Sequence, residues 1–451
     1  MSEEKEPKAD QDGIAELAVS GYKSIARFHS IEIRPLTILA GANSSGKSSI
    51  IQPILLLKQT LEASYDPGPL LLEGSNVTFT SASQFFSCIG NRPCSETFEA
   101  GARIGPDMRF RLAFRRDPER GVQIQEMSFA HGGIRGKLRP EMTSPELEST
   151  LPPMTKKWIE ALTGGQLGDA TAPRQPEGPL TLTVGRNRCF LEIMARSEPW
   201  GEILTGFPIE IVGSEIRRLI HLPGLRGNPE RTYPVTGVGG TFPGTFEKYV
   251  ASVVAKWQAE DKSRLEALNQ ALDSLGLTYR IIAKRIAETR VELMVGRLAH
   301  GKREGENDLV SVADVGFGVS QTLPVLVALL VAEPGQAVYL EEPEIHLHPR
   351  AQSAMAGILA EAAVRGVRVI AETHSSILLR SVQTLVATGK LPPELVKLHW
   401  FTRSPQDGST EIHSADLDKQ GAFGDWPEDF DEVALEAEKQ YLDAAEMGHR
   451  S

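Results

Sequence analysis

Gly41-Ala42-Asn43-Ser44-Ser45-Gly46-Lys47-Ser48 is the stretch on which the reading of this chain turns. It fits the pattern G-x-x-x-x-G-K-[ST], and it stands between two apolar runs, Leu36 to Ala40 and Ile50 to Leu57. A buried strand that enters a glycine-rich loop and leaves it as a helix is the context in which this pattern cradles phosphate. The glycines permit a tight loop with its N–H groups turned inward, and the helix N-terminus adds about half a positive charge. Residues Gly41 to Ser49 are therefore expected to surround the phosphates of ATP, with Lys47 on the β and γ phosphates and the Ser48 hydroxyl on Mg2+. An accidental Gly/Ser loop is the alternative, disfavoured because strand, loop and helix agree. Pro53 removes a backbone donor and should bend the helix after its first turns.

A second apolar strand, Ala337-Val338-Tyr339-Leu340, ends in two carboxylates, Glu341 and Glu342. Open α/β sheets place their sites at the carboxyl ends of strands. There Glu341 would organise Mg2+ and its waters. Glu342, one residue on and pointing elsewhere, would polarise the attacking water as general base. A solvated charge pair at a strand end is the bland alternative.

The run from Glu341 to Pro349, Glu-Glu-Pro-Glu-Ile-His-Leu-His-Pro, resembles the Walker B and D-loop segment of prokaryotic ABC-type ATPases. These are relatives of the SMC and RecF repair proteins and of the overcoming-lysogenization-defect nucleases, often called AAA-family ATPases. The turn Gly21 to Ile25 resembles their opening hairpin. The resemblance implies an α/β fold, a P-loop NTPase of ABC type with an antiparallel β subdomain and an inserted β/helical lobe. It also implies that Gly316 to Gln321 is the signature element, with Gly318 in place of its first serine. Gly318, Ser320 and Gln321 would then face the nucleotide of a second copy, in a head-to-tail homodimer that encloses two ATP molecules, with higher assembly possible. His374, after the apolar strand Val367 to Ala371, resembles the switch histidine that contacts γ-phosphate and aligns Glu342. Gln84 is a candidate for the glutamine loop. His346 and His348 read as D-loop residues at the dimer seam with Glu344, rather than as metal ligands.

Other segments carry weaker signals. Arg226 and Arg231 lie in a segment, His221 to Tyr233, that recurs in one branch of these ATPases; phosphate or nucleic-acid contact and surface ion pairing are equally open. Arg109, Arg111, Arg115, Arg116 and Arg120 interleave with Phe110 and Phe114, either as a groove for nucleic acid or as charges that protect an exposed strand. Asp416 and Asp418 are poor candidates for a nuclease metal pair, because the remaining length is too short for such a domain.

The 451 residues suggest two or three units. The expected boundaries are a disordered tail at 1–12, an ATPase head from 13–100 and 300–400, an inserted antiparallel lobe and helical arm at 101–299, and an acidic module at 401–451. Helices are expected near Lys156 to Leu162, over much of Thr245 to Leu275 and near Glu432 to Ala445. The net charge of -11 argues against indiscriminate coating of nucleic acid. No apolar run reaches the roughly 18 to 20 residues of a bilayer span. Cys88, Cys94 and Cys189 read as reduced thiols of a cytoplasmic chain.

By this resemblance the chain is an ATPase that acts as a sensor or motor subunit with nucleic acid or an effector protein, in phage defence or genome maintenance, including DNA repair. Two alternatives stand beside it: an ATP-binding scaffold that restrains a toxic effector, and the ATPase subunit of a transporter. The signature departs from the sequence that the transporter reading needs.

Overall fold

Residues along the central strands alternate between two cores, and this alternation sets the architecture. Val338 and Leu340, Val369 and Ala371, and Ile38 and Ala40 face one buried cluster, whereas Tyr339, Ile370 and Leu39 face another. A strand covered on both faces must be apolar on both, as these are. The computed structural model describes residues 13–90, 93–150, 181–197, 201–205, 209–297 and 308–424. The expected disordered tail, the helix near Lys156 and the helix near Glu432 lie outside them.

The central sheet has six strands in the order Ile220–Leu222, Ala337–Glu341, Arg368–Thr373, Leu36–Gly41, Val396–Arg403 and Thr410–Ala415. The first five pair in parallel and the last is antiparallel. Helices Phe317–Val331, Pro349–Val364 and Ser376–Ala387 cover one face, joined by Val250–Glu260 and Lys262–Ser274. This is the expected α/β layer with a parallel sheet, in which the strand that ends one residue before His374 lies between the loop strand and the acidic strand.

On the other face, helix Gln52–Glu62 packs with an antiparallel sheet in the order His29–Glu32, Ile14–Ser20, Thr97–Ile104, Met108–Asp117, Gly121–His131 and Ile134–Leu138. Thr97–Ile104 pairs with Ile14–Ser20, so this sheet runs across residue 100. The central sheet likewise draws its edge strands from segments expected to lie outside the head. Ile220–Leu222 comes from the lobe, and Thr410–Ala415 from the C-terminal module. Smaller sheets are formed by Thr181–Asn187, Phe190–Ser197 and Gly201–Thr205, and by Ile281–Ala287 and Arg290–Gly296 with Tyr233–Pro234 and Leu309–Ser311.

The helices of 250–274 pack inward through Val253, Val254, Trp257, Leu268 and Leu272. Among the described residues, no helix is long and apolar enough to cross a membrane.

One expectation fails outright. Cys88 and Cys94 form a disulfide rather than free thiols. The isolated bridge between Tyr22 and Phe86, and the bond from the Ser95 N–H to the Ser87 carbonyl, fold the intervening loop back until the two Cα atoms lie 4.2 Å apart. Only Cys189 remains a thiol, and burial pushes it up to about 12.

Candidate functional site

The fully buried strand Leu36–Gly41 delivers the chain into the phosphate loop. Two glycines are needed there for close approach as well as for conformation. Gly41 has φ +144° and a Cβ would stand 2.3 Å from the Phe401 carbonyl oxygen; Gly46 has φ +104° and a Cβ would stand 2.3 Å from Thr410 Oγ1. The neighbouring strands brace the loop from outside: Arg403 Nε donates to the Ser44 carbonyl at 2.7 Å, and the Thr410 hydroxyl lies 2.8 Å from the Ser45 carbonyl. Ala42, Asn43 and Ser44 are exposed, whereas Ser45 and Ser49 are buried. Lys47 is buried too, and its Nζ donates to the carbonyls of Gly41 and Ala42 at 3.1 Å each.

The segment after the loop differs from the expectation. A 3-10 turn, Ser48–Ile50, precedes the α-helix Gln52–Glu62. Pro53 therefore falls in the first turn, where its missing N–H has no intrahelical acceptor to lose.

The acidic strand and the histidine strand run side by side, with Glu341 in register with Glu372. Glu342 is the first residue past the strand and adopts φ +46°, a region uncommon for a residue with a side chain. Its N–H donates to the Glu372 carbonyl at 2.9 Å. His374 Nε2 lies 3.0 Å from Lys47 Nζ and 3.5 Å from Glu342 Oε1. Lys47 must donate here, so Nε2 is the unprotonated nitrogen. Burial, and then the Lys47 charge, hold the imidazole below its ordinary value.

Glu341 and Ser48 hydrogen-bond to different partners. Glu341 Oε1 lies 3.2 Å from His221 Nε2, and its Oε2 accepts the Gly224 N–H at 3.1 Å. Burial alone would raise this carboxyl, but these partners and the nearby Arg226 charge outweigh it and hold it below the ordinary range. The Ser48 hydroxyl instead donates to Glu372 Oε2 at 2.9 Å, and the Tyr339 hydroxyl donates to Glu372 Oε1. Burial pushes the Glu372 carboxyl up to about 7. Glu372 had not been picked out from the sequence. The available signal was its place at the end of an apolar strand, two residues before His374 and on the face of Ile370. Ser48, Glu341 and Glu372 together form a set of hard oxygen donors suited to Mg2+.

Arg226 is neither exposed nor free for phosphate. Its guanidinium donates to the carbonyls of Gln321, Glu341 and Glu342 at 3.1, 2.7 and 3.2 Å. Burial lowers it to about 10. Arg231 follows the bland reading, an exposed ion pair with Asp314.

At the signature helix Phe317–Val331, Gly316 is the N-cap and Ser320 Oγ donates to the Phe317 carbonyl at 3.3 Å. Gln321 was expected to face a partner's nucleotide. It is buried, and its amide accepts the Arg226 N–H and donates to the Gly227 carbonyl within its own chain. The position after one helical turn puts its side chain on the core side. A Cβ on Gly318 would lie 3.7 Å from the His346 carbonyl oxygen, and the exposed Phe317 ring stands 5.8 Å from the His346 ring.

Glu344 lies inside rather than at a seam, bonded to the Thr373 hydroxyl, and His348 caps helix Pro349–Val364. No cluster that could hold a metal through three or more His, Cys, Asp or Glu residues occurs among the described residues. Asp416 pairs with Lys397 and Arg34, and Asp418 closes its own turn. Gln84 closes a capping box with Ser81. Arg109 and Arg111 stand near Glu16 and Glu99 on the exposed face of their strand.

Residues 245–380 match the family described as AAA domain, putative AbiEii toxin, Type IV TA system. The matched segment, less than a third of the chain, holds the helix Phe317–Val331, the acidic strand and His374 but not Lys47. Among solved structures, the chain is similar to the SMC head domain from Thermotoga maritima, with 11% identity over 90% of this chain and 100% of that one and a TM-score of 0.40. It is also similar to the Smc head domain with an extended coiled coil bound to the C-terminal domain of ScpA derived from Pyrococcus furiosus, with 12% identity, 96% and 99% coverage and a TM-score of 0.42. A third is the SmcHead bound to the C-winged helix domain of ScpA, with 13% identity, 90% and 98% coverage and a TM-score of 0.47. No curated protein matches the chain.

Proposed function

We propose that this chain binds ATP with Mg2+ between the phosphate loop and the acidic strand, and hydrolyses it to ADP and phosphate in a head-to-tail dimer. The observation that carries this reading is the convergence of Lys47, His374 and Glu342 at the carboxyl ends of neighbouring strands, with 3.0 and 3.5 Å between successive groups. Backbone N–H groups of residues 41 to 49 bind the phosphates, and Lys47 turns its ammonium from its own carbonyls to the β and γ oxygens. Ser48 and the neighbouring carboxylates would hold Mg2+, which would supply charge neutralisation for the phosphates. Glu342 orients water and takes its proton; once Lys47 has turned to the phosphate, His374 Nε2 is free to carry a proton, fix the Glu342 carboxylate and contact the γ-phosphate. Gly318 and Ser320 at the exposed end of the signature helix complete the nucleotide site of a second copy, with Phe317 and His346 beside them at the seam.

The cycle serves a sensor or motor task with nucleic acid or an effector protein, in phage defence or genome maintenance. The description of the matching family names a toxin of a toxin–antitoxin system, and a second reading places the chain in such a pair as an ATPase that restrains a toxic partner. Stimulation of turnover by DNA supports the first, and an unstimulated ATPase that co-purifies with an effector supports the second.

Replacing Glu342 by Gln tests the core of the proposal. Phosphate release should fall by about 10²- to 10⁴-fold, with ATP binding kept and a dimer trapped on gel filtration with ATP. Unchanged turnover, or a species that stays monomeric with ATP, would sink it.

A further inference from the structure

We propose that Glu372 is the positioning residue for magnesium at the phosphate loop; the inference rests on the Mg–ATP reading above and goes beyond it. A serine that ligates a metal does so through its oxygen lone pairs, so its proton must be given to an acceptor. That acceptor is Glu372, whose Oε2 takes the Ser48 hydroxyl at 2.9 Å. The carboxylate cannot easily swing away, because Tyr339 donates to its other oxygen and the side chain is buried. Tyr339 is itself fully buried and stacked on the His221 ring at 5.3 Å.

Glu341, the residue that the acidic strand offers first, is engaged differently. Its two oxygens face His221 Nε2 and the Gly224 N–H, so it is tied to the loop of residues 221–226. The register that pairs Glu341 with Glu372 sets the two carboxylates on one face of adjacent strands. They divide the task. Glu372 orients the Ser48 oxygen and presents its own charge to the metal's water shell, and Glu341 approaches from the side of the 221–226 loop.

The test counts bound Mn2+, an EPR-visible stand-in for Mg2+, on the full chain with the non-hydrolysable analogue AMP-PNP. Glu372→Gln keeps the shape but lets only one amide oxygen serve two hydroxyl donors. Its Mn2+ affinity should fall about 10-fold, while AMP-PNP affinity measured in EDTA stays within about twofold of the parent. A purely structural role would move both affinities or neither. Tyr339→Phe is the milder variant should Glu372→Gln fail to fold, with an expected loss of about threefold in Mn2+ affinity. Unchanged Mn2+ affinity in the folded variants overturns the proposal. Failure of the parent chain to bind AMP-PNP at all would instead overturn the ATPase reading.

Discussion

Lys47 finds its carbonyl partners five and six residues back along the chain, whereas Arg226 finds its own 95 to 116 residues ahead. The two cations mark the two walls of the site. The lysine of the phosphate-loop wall finds its carbonyls within one short motif, while Arg403 and Thr410 brace that loop from outside. The acidic wall is assembled from residues 221–226, the start of the signature helix, the acidic strand end and the histidine strand end. Bonds made within one motif form wherever its strand is placed. A wall built across segments exists only when the sheet order is correct, so its failure should be cooperative.

The largest expected effect is on the local wall. Lys47→Ala should weaken ATP binding about 100-fold, ~3 kcal/mol, with a smaller effect on fold stability, because charge-assisted bonds to phosphate are lost while two loop carbonyls and His374 lose a partner at the edge of the site. Calorimetry that finds unchanged affinity would remove the phosphate assignment. Arg226→Ala tests the other wall and should behave in the opposite way. Three carbonyls lose a buried partner, and urea denaturation should register about 3 kcal/mol of lost stability together with slower turnover. An Arg226 variant as stable as the parent would mean that the acidic wall does not depend on its cross-segment bonds.

A pH series asks whether the local wall also leans on distant residues. His399, on the strand beside the phosphate-loop strand, is buried between the Glu32 carbonyl and the Ser414 hydroxyl. Burial is the main cause that lowers it to about 4. Because the unfolded chain takes up the proton first, its contribution is complete above the ordinary value near 6.5 and is lost as pH falls towards 4. Stability should drop by about 2 kcal/mol between pH 6.5 and 5 through this group, at ~1.4 kcal/mol per pH unit. His399→Gln should show a correspondingly shallower slope in denaturation measured across that range, and an identical slope would refute the assignment. The smallest effect belongs to Arg231→Ala. Its exposed pair with Asp314 should leave the urea midpoint unchanged within measurement error, which separates it from its neighbour Arg226 despite their shared segment.

These contrasts also explain what could be read in advance. Lys47, Ser48, Glu342 and His374 stood out because each comes after an apolar strand in a motif of fixed spacing, and the fold brings Lys47, His374 and Glu342 together. Gln321 was misread for a physical reason: helical periodicity alone does not say whether the first turn of a buried helix offers a given side chain to solvent or to Arg226. The disulfide between Cys88 and Cys94 was missed because it depends on a loop folded back by pairing with Tyr22, a contact made at long range.

The linear chain alone determined the strand, glycine loop and helix around Lys47, the apolar strands that end in Glu341 and His374, and the α/β class they imply. Those features rest on hydrophobic periodicity and on backbone conformations that neighbouring residues impose. Tertiary structure decided the partners: Glu372 on Ser48, His221 and Gly224 on Glu341, and Arg226 on three carbonyls. Hydrogen bonds reach only about 3 Å, so which polar groups meet is settled by the order and register of strands that lie far apart in the chain.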